Sequence, residues 1–236
     1  MTSTEPPKLV VHYLDDSRSQ RILWLAEELG FPYEIKHWKR TPDRLAPKEL
    51  ASVHPLGTAP IIVDGDITVA ESGAIIDYII RKYGQGKVSE PASVLDDVFY
   101  THYSEGTLMP LLVNKLIFGI VPSRAPWIVR PLLRYVFNSL TDLLVTPRLK
   151  VQAQLLEDHL VKGGEYLAGG QGPTFADYMM IFPLEAWDHG DPDALGPKTK
   201  EYIERIHRRP AYQRALSKGG EYEFAKPLPE PTAGSS

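Results

Sequence analysis

Val53-His-Pro-Leu-Gly-Thr-Ala-Pro-Ile-Ile-Val-Asp-Gly-Asp-Ile-Thr-Val-Ala-Glu-Ser-Gly73 is the stretch on which the reading of this chain turns. Pro60 opens a short apolar run, Ile61 to Val63. A proline fits there as the first residue of a strand, where its missing N–H is not needed by the ladder. Asp64-Gly65 then supplies a tight turn, and Ile67 to Val69 the returning strand, so the spacing predicts a hairpin. Glu71, Ser72 and Gly73 follow directly at the head of a helical pattern carried by Ala74, Ile75, Ile76, Tyr78, Ile79 and Ile80. A carboxylate and a hydroxyl therefore sit at a helix N-terminus, whose free N–H groups favour an anion or a zwitterion.

Working outward, Lys8 to Leu14 reads as a strand and Gln20 to Leu29 as a helix, with Ile22, Leu23, Leu25, Ala26 and Leu29 on its apolar face and Gly30 ending it. Pro32 to Trp38 reads as a second strand, and Thr41 to Ala51 as a short, proline-interrupted helix. The order is βαβαββα, a thioredoxin-like α+β domain expected over 8–86. A break rich in Gly, Pro and Ser (Gly84 to Ser93) holds the expected linker, 87–93.

Beyond it the periodicity is helical, so an all-α domain is expected over 94–225. Val94 to Phe118 reads as one helix interrupted near Pro110, Pro147 to Leu167 as another, and Lys198 to Leu216 as one or two broken at Pro210. Thr174 three residues before Asp177 is a capping-box arrangement that predicts a helix from Phe175 to about Trp187 and gives Asp177 a structural role. Residues 1–7 and 226–236 are expected to be a disordered leader and a loose tail.

Composition narrows the chemistry. The 236 residues are 43% hydrophobic and 24% charged with a net charge of −4, an ordinary globular balance that argues against nucleic acid as a partner. No uninterrupted apolar run approaches ~18 residues and the N-terminus has no basic leader, so a cytoplasmic address is the default expectation. Cysteine is absent. Dithiol exchange and protein mixed disulfides are thereby excluded, and any thiol in the reaction must arrive with a small molecule.

His54-Pro-Leu-Gly-x-x-Pro60, the hairpin, Glu71-Ser72-Gly73, and the opening Leu14-Asp-x-Ser-Arg with Arg21-x-Leu-Trp-Leu25 together resemble the glutathione-binding half of cytosolic glutathione transferases, the fungal Gtt-type branch most of all. The resemblance covers most of residues 8–84. It implies glutathione as co-substrate, a cis bond before Pro60, no metal, and a homodimer that conjugates glutathione to small hydrophobic electrophiles in detoxification and stress response, with hydroperoxide reduction as a side activity. A transferase-fold binding protein or scaffold without turnover is the alternative.

Glutathione is mostly a thiol at neutral pH, and only its thiolate attacks electrophiles efficiently. Ser17, between the first strand and first helix, resembles the serine of serine-type transferases that donates to that thiolate; by spacing alone it serves equally as a helix cap. Tyr13 is the runner-up. The resemblance assigns Glu71 and Ser72 to the γ-glutamyl end, Ala59 and Pro60 to the cysteinyl unit, and Arg40, Lys39 or Lys48 to the glycyl carboxylate, and makes His54 a loop-bracing residue. Some branches carry a long polar residue where Thr58 stands. Tyr100, Tyr103 and Thr107 form a mixed stripe that would take a flat substrate or, alternatively, pack in the core.

Lys115 to Lys150 carries six basic residues (115, 124, 130, 134, 148 and 150) against the single acid Asp142, beside a wide apolar stripe with Trp127 just before it. Three readings stand: a helical hairpin packed on the domain, a dimer surface, and a peripheral membrane contact.

Overall fold

The computed structural model describes residues 9–225, so the expectations for 1–7 and 226–236 lie outside the described residues. β1 (Leu9–Leu14), α1 (Ser19–Leu29) and β2 (Tyr33–Trp38) form a βαβ unit with β1 and β2 parallel. β3 (Ile61–Asp64) and β4 (Ile67–Ala70) form the expected hairpin, and the strand order is β2-β1-β3-β4. Asp64 pairs with Ile67, so the two turn residues are Gly65 and Asp66 rather than Asp64 and Gly65, with Gly65 taking the positive φ of 61°. α2 (Ser72–Tyr83) completes the unit. One expectation fails here. The stretch 41–51 is a loop ending in a single 3-10 turn, Lys48–Ser52, because Pro42 and Pro47 deny it successive helical hydrogen bonds.

No regular element spans 84–93. The helical part then runs α3 (Val94–Tyr103), α4 (Met109–Arg124), α5 (Arg130–Leu140), α6 (Thr146–Lys162), α7 (Phe175–Gly190), α8 (Pro197–His207) and α9 (Pro210–Lys218). The interruption expected near Pro110 is a π turn, Ser104–Leu108, and a matching one, Thr141–Val145, precedes Pro147. In both places the wide turn lets the helix continue into a proline that cannot donate to the preceding turn. From Val94 to Arg124 the helix is continuous over 31 residues, and its mean hydropathy reaches 1.4, long and apolar enough by length and composition to cross a membrane. Tyr100, Tyr103, Ser104 and Leu108 of its first half are buried, however, and α3 packs along α7, so it reads as a helix of the domain.

α1 sits between the two parts and is buried at every position but Glu28. It faces the sheet on one side and α7 and α9 on the other, where Trp24 packs against Tyr178 (ring centroids 4.5 Å apart) and Tyr212 (5.8 Å). Ion pairs close the same seam: Glu27 with Arg214 and Lys218, and Glu28 with Arg209. In α7, Pro183 cannot bond the carbonyl of Met179, and the buried Ser104 hydroxyl of the π turn donates to that carbonyl instead at 2.8 Å. The cap of α7 forms as expected. The buried Asp177 carboxylate accepts from the Thr174 N–H (2.8 Å), the Leu167 N–H (3.0 Å) and the Tyr202 hydroxyl (2.7 Å), which accounts for its structural role.

Candidate functional site

Beside the C-terminal end of β1, the start of α1 and the start of α2 are joined through Arg21 and Ser72. Ser17 lies in the β1–α1 connection and is buried. Its Oγ is 2.6 Å from the Leu14 carbonyl and 2.8 Å from Ser19 Oγ, and it accepts from the Ser19 N–H at 3.1 Å. The hydroxyl thus braces the helix entrance as a local cap would while lying beside the free N–H groups of the first turn.

Arg21, one turn along α1 and fully buried, joins this corner to α2: its Nη1 donates to Ser72 Oγ (3.0 Å) and to Glu105 Oε1 (2.9 Å). Arg18 reaches the same Glu105 with two bonds, 2.9 and 3.0 Å. Both guanidiniums lie over the Phe182 ring, 5.3 and 5.4 Å from its centre. Burial pushes the Glu105 carboxyl up, but the two arginines outweigh it and hold its pKa below the ordinary value. Two cations share one carboxylate, so the Arg18–Arg21–Glu105 cluster itself carries one unit of positive charge.

Glu71 adopts φ 69° and ψ 118°, a backbone conformation side-chain-bearing residues rarely take, and its exposed carboxylate bonds no other described residue. Glu71 is exposed at this turn while Ser72 is buried. The Ala59–Pro60 peptide bond is cis. Ala59 lies just before the last pair of the β1–β3 ladder, Ile61 with His12, so its own N–H and C=O remain outside that ladder. His54 Nδ1 accepts from the Leu56 N–H at 3.3 Å.

Other candidates are placed differently. Tyr13 is fully buried, its hydroxyl 3.3 Å from Gln20 Oε1, and burial followed by the charges of Asp15, Asp16 and Glu185 pushes its pKa well up. Arg40 spends its fork on the carbonyls of Asp15 (2.9 Å), Asp16 (2.8 Å) and Arg44 (2.8 Å). Lys39 and Lys48 are exposed with head groups bonded to no other described residue. Tyr100 and Tyr103 pack toward α6, Tyr100 against His159 with centroids 4.7 Å apart and Tyr103 bonding Gln152 at 2.8 Å; Thr107 is exposed. Tyr100 and Tyr103 are thus buried in contact with α6, while Thr107 faces solvent.

Sequence reasoning missed three contributors: Glu105, Phe182 and the segment 220–223. The last lies across the serine loop. Asp16 N–H donates to the Glu221 carbonyl (3.0 Å), Glu221 N–H to Asp15 Oδ1 (3.2 Å), and Glu223 N–H to Asp16 Oδ1 (2.8 Å). The approach is close enough at Gly220 that a Cβ there would lie 2.1 Å from Asp15 Oδ1. No local pattern marks these contacts. Among the described residues no group of three or more histidines and carboxylates is placed to hold a metal ion.

Residues 8–81 match the glutathione S-transferase N-terminal domain. Over 217 residues the chain is 35% identical to glutathione S-transferase 3 of Schizosaccharomyces pombe, covering 89% of this chain and 87% of that protein. It is 33% identical over 189 residues to glutathione S-transferase 1 of Saccharomyces cerevisiae, covering 76% of this chain and 80% of the relative. Among solved structures, a glutathione S-transferase from Actinobacillus pleuropneumoniae superposes with a TM-score of 0.70 at 29% identity, covering 92% of this chain and 95% of that one. A family member from Pseudomonas fluorescens with two glutathione molecules bound gives 0.65 at 25% identity, covering 91% and 94%.

Proposed function

The chain belongs to the glutathione S-transferase family, and from that membership we propose that it binds reduced glutathione between Ser17, Ala59, Glu71 and Ser72 and conjugates it to small hydrophobic electrophiles. The observation that carries the proposal is the bond from Arg21 to Ser72, which fixes the helix entrance bearing Ser17 against the helix entrance bearing Glu71.

Each end of the tripeptide finds a complementary group. The Glu71 carboxylate pairs with the γ-glutamyl ammonium, and the Ser72 hydroxyl with the adjacent N–H groups of α2 receives its carboxylate, helped by the residual charge of the Arg18–Arg21–Glu105 cluster. The Ala59 backbone pairs with the cysteinyl unit as an added strand. Lys39 and Lys48 are the cations with free head groups for the glycyl carboxylate. Ser17 then turns its hydroxyl from the Leu14 carbonyl to the sulfur. The thiolate so stabilised forms a carbon–sulfur bond with the electrophile, whose leaving group departs with its electron pair.

Hydroperoxide reduction, a cytoplasmic location and roles in detoxification and stress response belong to the same reading. So does homodimerisation, which would cover the exposed Leu95 and Phe99, lining a groove of about 400 Å³ between α3 and α6, and the exposed Val94 and Val98 of the same helix. Binding without turnover is a second reading, favoured by one observation: the Ser17 hydroxyl is already satisfied within the protein.

Calorimetric titration with reduced glutathione, followed by a conjugation assay with a dinitro-activated aryl chloride, separates them. Heat with turnover supports conjugation, heat without turnover supports the binding protein, and no heat refutes both.

A further inference from the structure

α5 projects from the body of the protein. None of its residues is buried, and it packs chiefly on α4 and on the π turn that follows it. Phe137 meets Phe118 of α4 with ring centroids 5.6 Å apart, so the inner face of this helical hairpin is satisfied. The outer face and the tip are not. Trp127 is 78% exposed, Ile128 70%, Leu132 64% and Tyr135 74%, an aromatic and aliphatic surface at the end of a projection.

Charge selects the occupant. From Gly106 to Thr141 the chain holds four basic residues (Lys115, Arg124, Arg130 and Arg134) and no acid, within a protein of net charge −4. Lys115 is paired with Asp191 at the base of the hairpin, and Arg130 donates to the Ala125 carbonyl. Arg124 and Arg134 meet no carboxylate among the described residues. A second copy would set these cations against themselves across a two-fold axis, which is repulsive. An anionic bilayer surface complements both features: tryptophan and tyrosine favour the level of the headgroups, leucine and isoleucine the boundary below, and arginines the phosphates.

We propose that the α4–α5 hairpin tip docks the protein on anionic lipid bilayers, with Trp127, Ile128 and Leu132 entering the interface and Arg124 and Arg134 engaging headgroups. The docking surface is separate from the Ser17–Ser72 corner, so it stands whether or not the transferase reading does.

The full chain is mixed with phosphatidylcholine vesicles with and without phosphatidylserine, and sedimentation and tryptophan emission are followed. Trp24 and Trp187 are fully buried and Trp38 is half-buried, so a change in emission reports chiefly on Trp127. The expected result is co-sedimentation with the anionic vesicles, weakened by salt, with a blue shift that Trp127→Phe abolishes. A cation at such a surface contributes a factor of about five. Arg124→Ala with Arg134→Ala should therefore weaken partitioning by about 25-fold, while Arg→Lys at both retains it. Ile128→Ser with Leu132→Ser should weaken it by about tenfold or more. Circular dichroism melting checks that each variant folds. Absence of binding to either vesicle, equal and salt-independent binding to both, binding that ignores these substitutions, or a self-association that they abolish would each overturn the proposal.

Discussion

Replacing Ser17 by alanine tests the central chemistry through the pH dependence of the loss. In the ligand-free protein the Ser17 hydroxyl donates to the Leu14 carbonyl at 2.6 Å, so meeting a thiolate exchanges one hydrogen bond for another. A bond to a charged acceptor contributes about 1.5–3 kcal/mol and the neutral bond it replaces about 1 kcal/mol. The net is about 0.5–2 kcal/mol, and at 1.36 kcal/mol per unit the bound thiol's pKa in Ser17→Ala should lie about one unit higher. Below the thiol's pKa the variant should turn over about tenfold more slowly, and the gap should close at higher pH, where the thiol ionises unaided. Initial rates across pH, together with the ultraviolet band of the bound thiolate, measure both. A rate loss that is constant with pH, or an unmoved thiolate titration, would refute the hydroxyl's role. Tyr13→Phe is the control: the Tyr13 ring is fully buried with its hydroxyl turned to Gln20, so the profile should stay in place.

Three further outcomes are expected. Ser104→Ala strips the Met179 carbonyl of its partner beside Pro183 and should cost about 1–2 kcal/mol, a fall of about 2–8 °C in Tm by calorimetry; an unchanged Tm would mean the carbonyl finds another donor. Burial raises the Glu27 carboxyl, but Lys218, Tyr33 and Arg214 outweigh it and leave its pKa lowered. Its stabilising contribution is therefore present above the unfolded value of about 4.3 and lost as pH falls through the folded one. Glu27→Gln should be less stable than the parent at pH ~7 and converge on it in acid, and a difference that persists in acid denaturation curves would contradict that assignment. Gly220→Ala forces a Cβ into Asp15 and should displace segment 220–223, lowering kcat with little change in Tm; unaltered kinetics would mean the serine loop holds its shape without that segment.

How much of this was legible in the residues depended on range. The hairpin, the α7 cap and the helix entrance at Glu71 are set by neighbours a few positions apart, whose turn and capping chemistry acts locally. The loop over 41–51 misled because its composition suits a helix while Pro42 and Pro47 remove the bonds a helix needs. Glu105 has no local pattern that marks it. Only the fold, which sets α1 against the π turn of the next domain, makes it the shared partner of Arg18 and Arg21, 87 and 84 residues away. The tyrosine stripe at 100 and 103 has a helical period consistent with either face, and its contacts with His159 and Gln152 of α6 come from residues about 50 positions away, which no local pattern marks.

The segment over the serine loop bears on how the protein is made. Its amides bond Asp15 and Asp16 from 206 and 207 residues downstream. At about 5–20 residues per second, roughly 10–40 s of translation separate the β1–α1 loop from the part that clamps it. A nascent chain released before residue 221 lacks that clamp, so the β1–α1 loop acquires its last backbone partners only after the helical part has been synthesised.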